Sequence, residues 1–109
     1  MLYDHYELRY LPLFHEELMD RALYIAKVKN SPDTANSLVN EVQKAIEERV
    51  KLNPEGYESI PSKMDTGVMY YRIYVKNHTV YYAVLEEDGR KIMEVRRFVH
   101  NLENRDEKV

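Results

Sequence analysis

Residues 69–100 read MYYRIYVKNHTVYYAVLEEDGRKIMEVRRFVH, and the reading of this stretch decides the fold. Met69, Tyr71, Ile73 and Val75 alternate with Tyr70, Arg72 and Tyr74, the two-residue period of a strand with one buried face. Lys76-Asn77-His78 fits a turn. Thr79 to Leu85 is dense in β-branched and aromatic residues, which pack well on a pleated surface. Asp88-Gly89 is a hairpin signal, because both residues tolerate the positive φ that tight hairpins need. Lys91 to His100 completes a third strand. Short turns join all three, so an antiparallel meander is expected.

Before this stretch the period is helical. Phe14, Leu18, Ala22, Ile25 and Ala26 mark one face of a helix that Pro12 permits to start and that runs to about Lys29. Asn30-Ser31-Pro32 breaks the chain. Ser31 then suits an N-cap, Pro32 a first helical position, and Asp33 the positive helix start. Ala35, Leu38, Val39, Val42 and Ile46 form the next apolar stripe, which should end near Leu52 because Asn53-Pro54-Glu55-Gly56 cannot extend it. At the front, Tyr6, Leu8 and Tyr10 alternate with Glu7 and Arg9 as an opening strand. The predicted class is α+β in the order β-α-α-β-β-β. Two helices cover one face of a mainly antiparallel sheet, and the other face is left for chemistry.

Composition narrows the function. The 109 residues fit one domain, taken as residues 1–109. There is no cysteine, so zinc–thiolate sites, disulfides and thiol nucleophiles are excluded, and a reducing cytoplasmic setting fits. Met1-Leu2-Tyr3-Asp4-His5 lacks the basic start and apolar run of a signal peptide. No segment approaches the roughly 20 apolar residues of a membrane span. The net charge is −3. Residues 1–58 hold 7 Lys/Arg against 11 Asp/Glu, and residues 59–109 hold 9 against 8, so an anion-binding surface belongs to the second half and must be local. His15-Glu16-Glu17 resembles the start of a zinc-protease motif, but Met19 stands where the second histidine is needed. No metal or other cofactor is expected. Leu102 to Val109 is mostly charged and should fray.

These motifs in this order resemble the RelE/ParE toxin superfamily: the strand YELRYL (residues 6–11), Ser31-Pro32 at the second helix start, and the exit Leu52-Asn53-Pro54. The arginine strand YYRIYV (70–75), the tyrosine strand VYYAVL (80–85) and the ending RRFVH (96–100) follow. The resemblance spans about Tyr6 to Asn101. It implies the toxin of a type II toxin–antitoxin system, neutralised by a partner antitoxin and inhibiting growth when free. It implies one of two targets, messenger RNA on the ribosome, cleaved by a metal-independent endoribonuclease, or DNA gyrase, inhibited without catalysis. An inert protein-binding relative is a third reading. By position, Arg72 corresponds to the family's strand arginine, and Arg97 and His100 to the basic residue and histidine of the last strand. The nuclease branch often has a lysine cluster before the arginine strand and an aromatic residue in the tail. Here only Lys63 precedes that strand, and nothing aromatic follows Phe98.

As a site, His100 would transfer a proton, and Arg72 with Arg96 or Arg97 would stabilise charge on a phosphate. Tyr70 and Tyr74, flanking Arg72, would stack on bases, and Lys63 would add an RNA contact. The bland alternatives are cross-strand ion pairs, cation–π contacts and ordinary tyrosine packing. Regular alternation puts Arg96 with Phe98 and His100, and Arg97 with Met93, Val95 and Val99. The family correspondence prefers Arg97 beside Arg72, and one bulge would reverse the parity. The expectation is that Arg72 and His100 share one exposed surface of the sheet, with Arg96 or Arg97 beside them.

Overall fold

The computed structural model describes residues 2–3, 5–102, 106 and 109. Strands β1 (Leu2–Tyr3) and β2 (Tyr6–Tyr10) precede helices α1 (Pro12–Lys27) and α2 (Pro32–Leu52). Strands β3 (Ser59–Pro61), β4 (Met69–Val75), β5 (His78–Glu87) and β6 (Arg90–His100) follow. They form one sheet in the order β1-β2-β6-β5-β4-β3. The β2–β6 pair is parallel and the other pairs are antiparallel. The expected α+β architecture is present, with β1 and β3 as additional short strands. Pro61 ends β3, as suits an edge strand, since proline cannot donate to a ladder.

Each helix begins on proline, where the missing N–H costs nothing. Ser31 occupies the N-cap position of α2, but its hydroxyl bonds the Thr34 hydroxyl at 2.6 Å rather than a helix N–H. The short connection through residues 28–31 folds the helices into a hairpin. Their stripes bury Phe14 and Leu18 from α1, and Leu38, Val42, Ile46 and Val50 from α2. These meet Leu8 of β2, Ile73 and Val75 of β4, Val80 and Tyr82 of β5, and Met93, Val95 and Phe98 of β6 in one core. The Tyr82 hydroxyl donates to the Pro54 carbonyl at 2.6 Å and accepts from Arg49 at 2.9 Å. Burial pushes its pKa up to about 12, against the lowering pull of Arg49.

The Asp88-Gly89 hairpin has φ of 53° and 76°, the positive-φ pair that matches strand twist. Gly89→Val should therefore cost about 1 kcal/mol or somewhat more in urea denaturation, through backbone strain rather than lost contacts.

β6 is not regular. Tyr81 pairs with Arg97, but the next residue, Tyr82, pairs with Val95, so Arg96 is an extra residue in a bulge. Met93 and Val95 face the helices, and so does Phe98 beyond the bulge. One inserted residue has reversed the parity of the strand end.

A smaller apolar cluster lies on the sheet's other face: Tyr70, Tyr81, Ala83, Val99 and Val109. Val109 is 1% exposed. The expectation of a frayed tail is corrected at this residue, because its isopropyl group closes a tyrosine-lined cluster. Residues 103–105 and 107–108 lie outside those described.

Candidate functional site

β4 presents its two faces as the alternation requires. Ile73 and Val75 enter the helix-side core, while Tyr70, Arg72 and Tyr74 take the opposite face. Tyr74 is 55% exposed, with the Arg72 guanidinium 6.0 Å from its ring centre. Tyr70 is buried, packed edge-on against Tyr81 at 6.0 Å between ring centres. Its expected role as a base-stacking platform is corrected, since a ring buried on Tyr81 and Val109 offers no open face. Lys63 is exposed in the loop before β4.

The bulge brings both Arg96 and Arg97 toward the helix-free face. Arg96 sits 5.8 Å over the Tyr70 ring and bonds Glu94 at 2.9 Å and Asp65 at 3.2 Å. Glu94 is buried and also accepts from Arg9 at 3.3 Å. Arg97 stands in register with Tyr81, which itself pairs with Arg72. Its side chain then curls round the strand edge to α1. There it makes a two-pronged contact with the Glu17 carboxylate at 2.9 and 2.8 Å, which pushes the guanidinium pKa further up. Among the described residues, no strand pairs with β6 on this side beyond Val95, where the β2 ladder ends. Glu17 fills the gap and accepts the Phe98 N–H at 3.0 Å. Glu17→Gln, which keeps an acceptor oxygen but loses the charge, should cost about 1 kcal/mol. Glu17→Ala, which leaves the Phe98 N–H bare, should cost about 2 kcal/mol. Urea midpoints of the two variants test this ranking.

Arg72 donates to Asp106 at 3.1 Å and lies 3.9 Å from Glu58. Each arginine of the expected site thus already holds a carboxylate.

His100 is elsewhere. It pairs with His78, their ring centres 4.8 Å apart, and His78 stacks on Phe98 at 4.9 Å and 9°. Phe98 belongs to the helix-side core. His100 therefore faces α1, lining a cleft of about 340 Å³ with Arg21, Tyr24 and Asp20. The expectation that Arg72 and His100 share one surface is corrected: they lie on opposite faces of the sheet. The cause is Arg96, whose insertion returns Phe98 and His100 to the helix side. Arg72, Arg96 and Arg97 leave the sheet from one face, as the family correspondence preferred for Arg97, but the Arg97 guanidinium reaches round to Glu17 on α1.

His78, expected in a turn with Lys76 and Asn77, is the first residue of β5. It is 5% exposed, accepts a hydrogen bond from the Arg21 Nε–H at 3.1 Å, and its Nδ1 is buried without a partner. Burial first, then the nearby His100 and Arg21, lowers its pKa to about 4. Its place in a turn motif gave no sign of burial. Among the described residues, no three of His, Asp and Glu are grouped as a metal ion would require. No described helix is long and apolar enough to cross a membrane.

A helical hairpin on one face of a sheet whose parallel β2–β6 pair joins the opening strands to β6 is the α+β arrangement that sets this chain's fold. A chain from a chromosomal ParDE TA (toxin–antitoxin) system of P. aeruginosa shares it, with a TM-score of 0.64 over 88% of this chain and 96% of that one, at 12% sequence identity. No protein-family model matches the sequence, and no curated protein matches it. What is shared is the fold.

Proposed function

We propose that this chain is the toxin of a type II toxin–antitoxin system, inhibiting growth when released from its antitoxin. The observation that carries the reading is the fold, matched over 88% of the chain by a member of a ParDE TA system. The family motifs from Tyr6 to Asn101 support it independently. Of the two modes of action, inhibition of DNA gyrase by binding fits this geometry better than messenger RNA cleavage. A cleavage site would need His100 within reach of the phosphate that Arg72 holds, and the two face opposite sides of the sheet. The arginines are moreover matched by carboxylates, and the net charge of −3 offers little attraction to ribosomal RNA.

Induced expression should arrest growth, and co-expression of the antitoxin encoded next to this gene should relieve the arrest. The purified protein should block gyrase supercoiling and leave messenger RNA on ribosomes intact by primer extension. Growth without arrest would remove the toxin reading. Arrest accompanied by ribosome-dependent cleavage would keep it and replace gyrase with messenger RNA as the target.

A further inference from the structure

The helix-free face of the sheet is occupied by the chain itself, through three contacts of different kinds. The Asp106 carboxylate accepts from Arg72 at 3.1 Å and from the Tyr81 hydroxyl. The Val109 side chain fills the cluster of Tyr70, Tyr81, Ala83 and Val99. A Val109 main-chain oxygen accepts from the Ser62 hydroxyl and from the Met64 N–H at 3.3 Å. Ser62 is itself buried and also accepts from the Asp65 N–H at 2.9 Å, which fixes its hydroxyl in place. A cation with a phenol, an apolar hollow, and a hydroxyl and a backbone N–H that donate to the main chain together form a peptide site. They read an acidic side chain, an aliphatic side chain three residues later, and the main chain beside it.

We propose that this face is a peptide-binding groove for acidic-then-aliphatic segments, closed in cis by Asp106 and Val109, and that a partner segment of the same chemistry binds by displacing them. The contacts favour a peptide over a nucleic acid. Arg72 supplies charge to the bound segment through Asp106, and the carboxylates of Glu58, Asp65 and Glu94 surround it and its neighbour Arg96. A phosphate backbone would meet those carboxylates and leave the hollow under Val109 empty. A tethered occupant also sets a threshold. A segment on a short tether acts at an effective concentration in the millimolar range, so a weak competitor is refused and a well-matched one admitted. The groove holds whichever target the protein has.

The test uses the full chain and a fluorescein-labelled peptide of residues 101–109, followed by fluorescence anisotropy. In the variant D106N/V109S the cis segment loses two anchors, and the peptide should bind saturably below about 1 mM. Wild type, closed in cis, should bind at least about 10-fold more weakly. Adding R72Q to the double variant, or placing asparagine at the Asp106 position of the peptide, should weaken binding roughly 3- to 10-fold. Thermal melts establish that each variant is folded. Should the double variant melt early, the isosteric D106N alone gives the same comparison with a smaller gap. A folded variant that binds no peptide overturns the proposal, as does wild type binding as well as the variant. A single-stranded RNA 9-mer that binds the opened groove more tightly than the peptide would make it a nucleic-acid site and overturn it equally.

Discussion

Acidification from pH 7 to pH 4 should cost the fold roughly 3 kcal/mol through His78 alone. The ordinary value for this side chain is 6.5, and burial with His100 and Arg21 nearby lowers it to about 4. In the unfolded chain His78 takes up its proton near pH 6.5. In the folded chain the charged ring would be desolvated beside the Arg21 guanidinium, and uptake waits until about pH 4. Between these values the unfolded state binds more protons, so stability is full above pH 6.5, falls as pH falls through the window, and levels off below it. The measurement is a series of urea midpoints between pH 7 and 4. His78→Phe keeps the stack on Phe98 and has nothing to protonate, so its profile should be flat from pH 6.5 to about 4.5. Glu55 and Glu87, whose pKa values are lowered by Lys91 and Arg9 respectively, add losses only from about pH 4.5 downward. An unchanged slope in His78→Phe would show that another group carries the dependence.

Phe98→Ala should be among the most damaging single changes, at about 3–5 kcal/mol. Phe98 is 4% exposed, meets Phe14 edge-on at 6.2 Å and 90°, and supports the His78 ring at 4.9 Å. Removing it opens a void between α1 and the sheet that neighbours held by backbone pairing cannot close. The result is diagnostic because unbroken alternation along β6 would put Phe98 on the face away from the helices. A cost under about 1 kcal/mol, read from urea denaturation, would mean that the Arg96 bulge is absent in solution and that His100 returns to the side of Arg72.

The sequence made the long elements legible because each carries its period over many residues. The stripe Leu38, Val42, Ile46 admits only a helix, and Met69 to Val75 only a strand. β1 and β3 escaped because strands of two or three residues have no period to read. The parity at the end of β6 was illegible for a different reason. Arg96 and Arg97 are both long, charged and indifferent to which face they leave from, so nothing local marks the inserted residue. The same holds for partners chosen by tertiary packing. Glu17, noticed only as part of a failed metal motif, closes an open strand edge and holds Arg97. Val109, in a charged tail, is buried because a hollow between Tyr70 and Tyr81 happens to lie within its reach. The candidate arginines were found from residue type and strand position. Their neutralisation by Asp106 and Glu17 was not, since those carboxylates lie 34 and 80 positions from Arg72 and Arg97; Glu94, two positions before Arg96 on β6, was the one partner within local reach.

The position of β6 has a bearing on how the molecule comes into being. It lies between β2 and β5, yet among the described strands it is the last in sequence. The parallel partner it gives to β2 is more than 80 positions away, as in Tyr6 with Lys91. Such a pairing must close a long loop before any of its contacts form, which slows folding. Helices and opening strand emerging from the ribosome have no sheet centre to pack on, and their apolar stripes stay in search of cover until His100 is out. No fragment ending before β6 can hold the core. A nascent chain that has not yet released β6 therefore lacks the strand that joins β2 to β5 and the core residues Met93, Val95 and Phe98.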